Sequence, residues 1–180
     1  MKSKTTSRVA AIAVCLAVLI SIALAAQDKY TLKAPNGVAL SEFRGYESWQ
    51  NVAPSVTEDG IKAILANPVM IQAYKDGIPG NGRPFPDGSM IVKIEWKKKK
   101  NEESPYGVEV PDSLKSVSFI EKDAKRFPDT AGWGFAQFSY DAASGALKPF
   151  GDDSSFAMKC FKCHTAVKEK DFIFTRYAER

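Results

Sequence analysis

The chain has 180 residues, with 25 Lys plus Arg against 21 Asp plus Glu, 44% hydrophobic residues, three cysteines and a single histidine. That is the length and apolar content of one domain with its own core. A net charge of +4 is too small for a nucleic-acid binder, and a lone histidine excludes two- and three-histidine zinc sites, a facial triad and a bis-histidine haem within one subunit.

Lys2, Lys4 and Arg8 precede an uncharged apolar run from Val9 to Ala25, which ends in Ala23-Leu24-Ala25. A basic start, an apolar middle and a small-x-small end read as a signal peptide over residues 1–25, with a mature domain over 26–180. The alternative is an uncleaved anchor, since the run approaches the ~20 apolar residues that span a bilayer. The polar Gln27-Asp28-Lys29 that follows fits processing rather than stop-transfer. Cys15 reads as filler of the apolar region. Cleavage removes three basic residues and lowers the net charge from +4 to +1. It also leaves Cys160 and Cys163 as the mature cysteines.

Along the mature chain, Ser41 to Trp49 reads as a short amphipathic helix weakened by Gly45, and Gly60 to Ala66 fits strand or helix. Asn67 as N-cap, Pro68 at the first helical position and Gly77 past the end bracket a helix over Val69 to Asp76. Ile78 to Asp87 is rich in proline and glycine and reads as a stiff irregular loop. Ser89 to Trp96 is a predicted strand with Met90, Val92, Ile94 and Trp96 on one face and Ser89, Ile91, Lys93 and Glu95 on the other. Lys97 to Asn101 reads as a solvated hairpin tip. Further strands are expected over Lys115 to Glu121 and Trp133 to Tyr140, with a helical turn at Asp123 to Phe127 between them and a turn at Ser144-Gly145. Ser154 to Lys168 should be helical, and Phe172 to Tyr177 alternates as a last strand.

Cys160-Phe161-Lys162-Cys163-His164 is Cys-x-x-Cys-His, the attachment signature of c-type haem. One helical turn brings both thiols to one side of the macrocycle for addition to its vinyl groups, with the adjacent imidazole under the iron. A thioredoxin-like pair would follow an early strand instead of lying near the C-terminus. A zinc site would have to complete its set with carboxylates. His164 is therefore the expected metal ligand. The sixth position is open by default; Met70, Met90, Met158 or a lysine are the protein alternatives. Strands combined with a C-terminal motif give a mixed fold, unlike the helical cytochromes c and c′.

Three spaced segments carry a family resemblance. They are Asn67-Pro-Val-Met-Ile-Gln-Ala-Tyr-Lys-Asp-Gly with Arg83-Pro-Phe-Pro-Asp-Gly-Ser-Met-Ile-Val-Lys-Ile-Glu-Trp, then Glu121-Lys-Asp-Ala-Lys-Arg-Phe with Gly132-Trp-Gly-Phe, and the haem motif with Asp171-Phe-Ile-Phe-Thr-Arg-Tyr. From about Ala39 onward the chain resembles the cytochrome P-460 family, which includes the cytochromes c′-β. The resemblance implies an α+β fold, an antiparallel β-sheet with flanking helices and a C-terminal haem-attachment helix. It also implies a periplasmic, usually dimeric protein with one covalently bound haem c per chain and an open iron site.

In the P-460 branch a lysine on the strand after the Asp-Gly turn is joined to the haem ring, and the match places it at Lys93. From the residues alone Lys93 is out of place between Ile91 and Ile94, and a snorkelling edge lysine is the other reading. Phe85 matches an aromatic cap over the distal iron face in the c′-β branch, or else anchors the loop between Pro84 and Pro86. The family's hydroxylamine oxidisers use a carboxylate shortly before the haem motif; this chain offers Asp152 or Asp153, which also suit an N-cap cluster. The resemblance thus implies hydroxylamine oxidised to NO or N2O, with electrons passed to a redox partner. The alternatives are an NO-binding c′-β-like protein and a simple electron carrier.

Overall fold

Strict alternation along the central strands gives this chain a sheet with two unlike faces. The computed structural model describes residues 28–179; the expected signal peptide over 1–25 and Cys15 lie outside the described residues. The strands are β1 (Gln50–Thr57), β2 (Gly60–Ala66), β3 (Met90–Lys100), β4 (Glu109–Lys122), β5 (Trp133–Asp141) and β6 (Ala146–Pro149). They form one six-stranded antiparallel meander in that order. Helix α1 (Pro68–Lys75) joins β2 to β3, and α2 (Ser155–His164) follows β6. This is the α+β architecture expected, with the attachment helix at the C-terminal end.

On the back face the register row Leu65, Val92, Phe119 and Ala136 crosses β2 to β5. The segment before β1 covers it with Val38, Leu40, Phe43 and Tyr46. Phe119 sits at the centre, its ring 4.7 Å from Phe43 and 5.6 Å from Phe138. Burying each such side chain stabilises the fold by about 1.5–3 kcal/mol.

The front face changes character along the strands. The row Ala66, Ile91, Ile120 and Phe135 is apolar; the next is Ile64, Lys93, Ser118 and Gln137, and the one beyond is Lys62, Glu95, Ser116 and Ser139. Helix α1 and the C-terminal segment cover the apolar end with Met70, Ile71, Tyr74 and Ile173. The polar rows are left beside a cavity.

Several sequence expectations shift. The helix expected over Ser41 to Trp49 is two 3-10 turns, Leu40–Phe43 and Tyr46–Ser48, broken where Gly45 takes φ +83°. The lysines at 97–100 do not form a tip. They extend β3, where Lys98 pairs with Glu109 at 2.8 Å and Lys99 with Asp112 at 3.4 Å, so acidic residues across the ladder offset the charge run. The attachment helix ends at His164, and a 3-10 stretch over Thr165–Lys170 continues it with a kink at Val167.

The C-terminal segment Phe172 to Tyr177 is no strand. It crosses the front face of the sheet, held by Tyr74 Oη donating to the Thr175 carbonyl at 2.9 Å and by the Ala178 N–H donating to the Val52 carbonyl at 3.2 Å. Its alternation is real, but it marks packing over a sheet rather than pairing within one.

Candidate haem site

The motif thiols and imidazole are placed by α2, which packs against β5. Cys160 is half-buried and Cys163 exposed, and neither is in a disulfide. Burial pushes the Cys160 thiol up, against a smaller opposing effect of Lys93. His164 lies four residues after Cys160, on the same side of the helix, and both line one cavity of about 240 Å³. Its Nδ1 donates to the Phe172 carbonyl at 2.6 Å. A carbonyl only accepts, so this contact puts the proton on Nδ1 and leaves the Nε2 lone pair for a metal. Phe135 and Phe174 hold the ring from two sides, each with its centroid 4.9 Å away. Burial lowers the imidazole's pKa, which also favours the neutral, ligating form.

Lys93 lines the same cavity wall. Burial lowers the pKa of its amine, and Glu95, 3.9 Å away, opposes that shift. Glu95 is a hub. It also meets Lys115 at 2.9 Å and Lys62 at 4.0 Å. Burial pulls the Glu95 carboxyl up, but its hydrogen bond from Lys115 and the charges of Lys62 and Lys93 outweigh this and hold it below the usual range. Next to Lys93 across the sheet, the Oγ of Ser118 is buried in the cavity wall with no hydrogen-bond partner among the described residues.

These residues fit a c-type haem. The cavity offers an apolar floor from Ile64, Ile91, Ile120 and Ile173, an imidazole with one free nitrogen and a thiol one helical turn away. Among the described residues no group of three or more His, Cys, Asp and Glu could hold a bare metal ion. The donor set therefore suits an iron whose other ligands come with a macrocycle.

Other expected site residues lie elsewhere. Phe85 is 2% exposed in the front core, its ring 5.0 Å from Tyr74 and 6.0 Å from Trp133, and it does not line the cavity. Its N–H donates to Asp171 Oδ2 at 2.8 Å. Asp152 and Asp153 are exposed around a separate surface hollow. Asp153 accepts from the Ser155 N–H at 2.8 Å, the local bond that starts α2, so it serves the helix and not the cavity. Of the methionines, Met70 is core, Met90 packs at the back face and Met158 is exposed; none lines the cavity. Sequence reasoning passed over Glu95 as a site residue, although its alternation with Lys93 put both on one face. Ser118 and Gln137 become visible only through strand register.

Among models of protein families, the one described as Cytochrome P460 matches residues 43–175. Of the described residues, that stretch contains the six strands, the two α-helices and every residue of the cavity wall. A search of curated proteins finds no match to the chain.

Proposed function

The chain belongs to the cytochrome P460 family and is thereby a c-type haem protein, and from that premise we propose that it is an exported, periplasmic homodimer that oxidises hydroxylamine. One observation carries this reading: a half-buried amine, Lys93, shares one cavity wall with Cys160 and His164. Haem, when bound, supplies a redox-active iron with a coordination position for a small nitrogenous substrate. Cys160 and Cys163 would hold it through thioethers, each S–H adding across a vinyl group. His164 Nε2 would bind the iron, oriented by the Phe172 carbonyl.

Lys93 is assigned the covalent tie to the ring, an N–C bond that would replace one N–H and one ring C–H, with two protons and two electrons given up to an external oxidant such as a peroxide. Burial lowers the pKa of its amine, a shift toward the neutral form that nucleophilic chemistry needs. Each electron withdrawn from hydroxylamine on the way to NO is matched by a proton, so the site needs an acceptor. Glu95 takes that role in place of Asp152 and Asp153: it stands behind the cavity wall, 3.9 Å from Lys93 and 4.0 Å from Lys62, which both line it, and would receive the proton through them. Once Lys93 is tied up and loses its charge, Glu95 loses one of its cations and becomes a better base.

The test is anaerobic turnover with hydroxylamine and an artificial oxidant, comparing wild type with Lys93→Ala, alongside mass mapping of the haem peptide. We expect the wild type to consume hydroxylamine with the Lys93 peptide linked to haem, and Lys93→Ala to lose at least tenfold in rate, about 1.4 kcal/mol in barrier. A wild type that consumes no hydroxylamine ends the enzyme reading; an unlinked Lys93 shifts it to capture of NO.

A further inference from the structure

On the side of the front core away from the polar rows, two charged residues are buried together without any part in the proposed chemistry. The side chains of Lys122, at the end of β4, and Asp171, just after the 3-10 stretch, are 8% and 10% exposed. Lys122 Nζ donates to both carboxylate oxygens of Asp171, at 2.9 and 3.0 Å, and to the Ala131 carbonyl at 3.0 Å. The same ammonium lies 4.7 Å from the centroid of the Trp133 ring. Asp171 Oδ2 also accepts from the Phe85 N–H at 2.8 Å. Every strong donor around the carboxylate is thus fixed to the sheet or to the loop before β3.

What this pair holds is a strained piece of backbone. Asp171 and Phe172 adopt φ +48° and +64° in succession. Left-handed conformations of non-glycine residues are strained, and persist only where the surroundings over-determine them. The payoff of the two turns is a direction: they aim the Phe172 carbonyl back at His164 Nδ1. A buried ion pair is seldom retained for stability alone, since an apolar pair of like volume serves about as well. Charge-assisted hydrogen bonds do, however, fix orientation.

We propose that the Lys122–Asp171 pair positions the proximal ligand: by pinning the Asp171–Phe172 turn to the sheet, it holds the Phe172 carbonyl on His164 Nδ1 and sets how electron-rich Nε2 is toward iron. A strong Nδ1–H···O=C bond gives the imidazole anionic character, strengthens the iron–histidine bond and favours ferric iron. Lys122 and Asp171 are positioning residues. They act through Phe172, and neither lines the cavity.

The inference rests on His164 being the haem ligand, and is independent of whether hydroxylamine is the substrate. The test is resonance Raman spectroscopy of the ferrous holoprotein, with redox titration, on Asp171→Asn, Lys122→Gln and Lys122→Arg. A back-face truncation, Phe138→Leu, serves as a control for general loss of stability. Asp171→Asn and Lys122→Gln should lower the iron–histidine stretching frequency and raise the midpoint potential. Lys122→Arg, which keeps the charge, should restore both toward wild type, and Phe138→Leu should leave both unchanged. The inference is overturned if the frequency and potential stay at wild-type values in Asp171→Asn and Lys122→Gln, or if Phe138→Leu shifts them equally. It is also overturned if all the Lys122 and Asp171 variants, Lys122→Arg included, fail to take up haem, since the pair would then serve folding alone. Absence of any iron–histidine mode in the ferrous wild type also overturns the inference, since the iron is then either six-coordinate or not held by His164.

Discussion

Lys93 and Lys122 lie on neighbouring strands and both leave bulk water, yet their surroundings give them opposite tasks. Lys93 shares Glu95 with two other lysines and faces a cavity; Lys122 is the one ammonium on Asp171, bonding both its oxygens and a carbonyl besides. Glu121, the residue before Lys122, shows the reverse imbalance. It is 3% exposed, and burial, reinforced by the charge of Glu42, pushes its carboxyl up to about 7 despite Arg126 at 2.9 Å. A folded-state pKa raised above 4.5 means that the native protein holds a proton that the unfolded chain has released. The contribution of Glu121 to stability therefore falls as pH rises from about 4.5 to about 7. Over that window wild type should lose on the order of 1–3 kcal/mol relative to Glu121→Gln. Urea unfolding of both proteins at several pH values measures the difference, in which the opposite, acid-side losses from Asp141 and Glu95 cancel. A constant gap would show that Glu121 stays charged in the fold.

Among the elements, α1 is held by a residue that does more than cap it. Asn67 Oδ1 accepts from the N–H groups of Met70 and Met90, both at 3.1 Å, while its Nδ2 donates to the Gly88 carbonyl at 2.7 Å. One side chain thus ties the helix start to the start of β3. Asn67→Ala should cost about 2–3 kcal/mol in urea unfolding, above the ~1 kcal/mol of an ordinary cap, because buried groups on β3 lose a partner as well. Asn67→Asp, which keeps the acceptor, should fall between. Elements of this kind were legible in the sequence because their determinants are local: the Asn-Pro start of α1, the Gly77 stop, and the alternation that put Lys93 and Glu95 on one face of β3. β1 was not legible, since Pro54 and a mostly exposed pattern suit an edge strand that exists only beside β2. The last segment alternates like a strand but packs over the sheet, with the Ala178 N–H donating to the Val52 carbonyl of β1. At the site, the haem motif is contiguous and readable, whereas Ser118 depends on register and the Lys122–Asp171 pair spans 49 residues. Phe85 and Asp153 matched by position in the chain, yet local packing and a local hydrogen bond take them elsewhere.

For the molecule as a whole, the two faces of the sheet should differ in how far they depend on the cofactor. The back core is closed at its centre by its own aromatic residues, Phe43, Phe119, Trp49 and Phe138. The front face is closed only in part. Helix α2 buries a single residue, Ala157, out of ten, and its Cys160 and Phe161 are only partly buried against the front core. A helix with so little buried surface gains little from docking, so most of its stability must come from the group its thiols and imidazole hold. Local opening follows local packing. In Cys160→Ser/Cys163→Ser, which cannot attach haem covalently, amide hydrogen exchange should stay slow across β3, β4 and β5. The same variant should exchange at least tenfold faster over Ser155–His164 and residues 171–178, corresponding to about 1.4 kcal/mol of lost local stability. The second segment enters because it meets the helix through the His164 bond to the Phe172 carbonyl and through the packing of Phe172 on Phe161, both of which loosen when the helix does. Equal acceleration in the strands and in α2 would mean that the two faces unfold as one unit, and that haem stabilises the whole domain instead of one side of it.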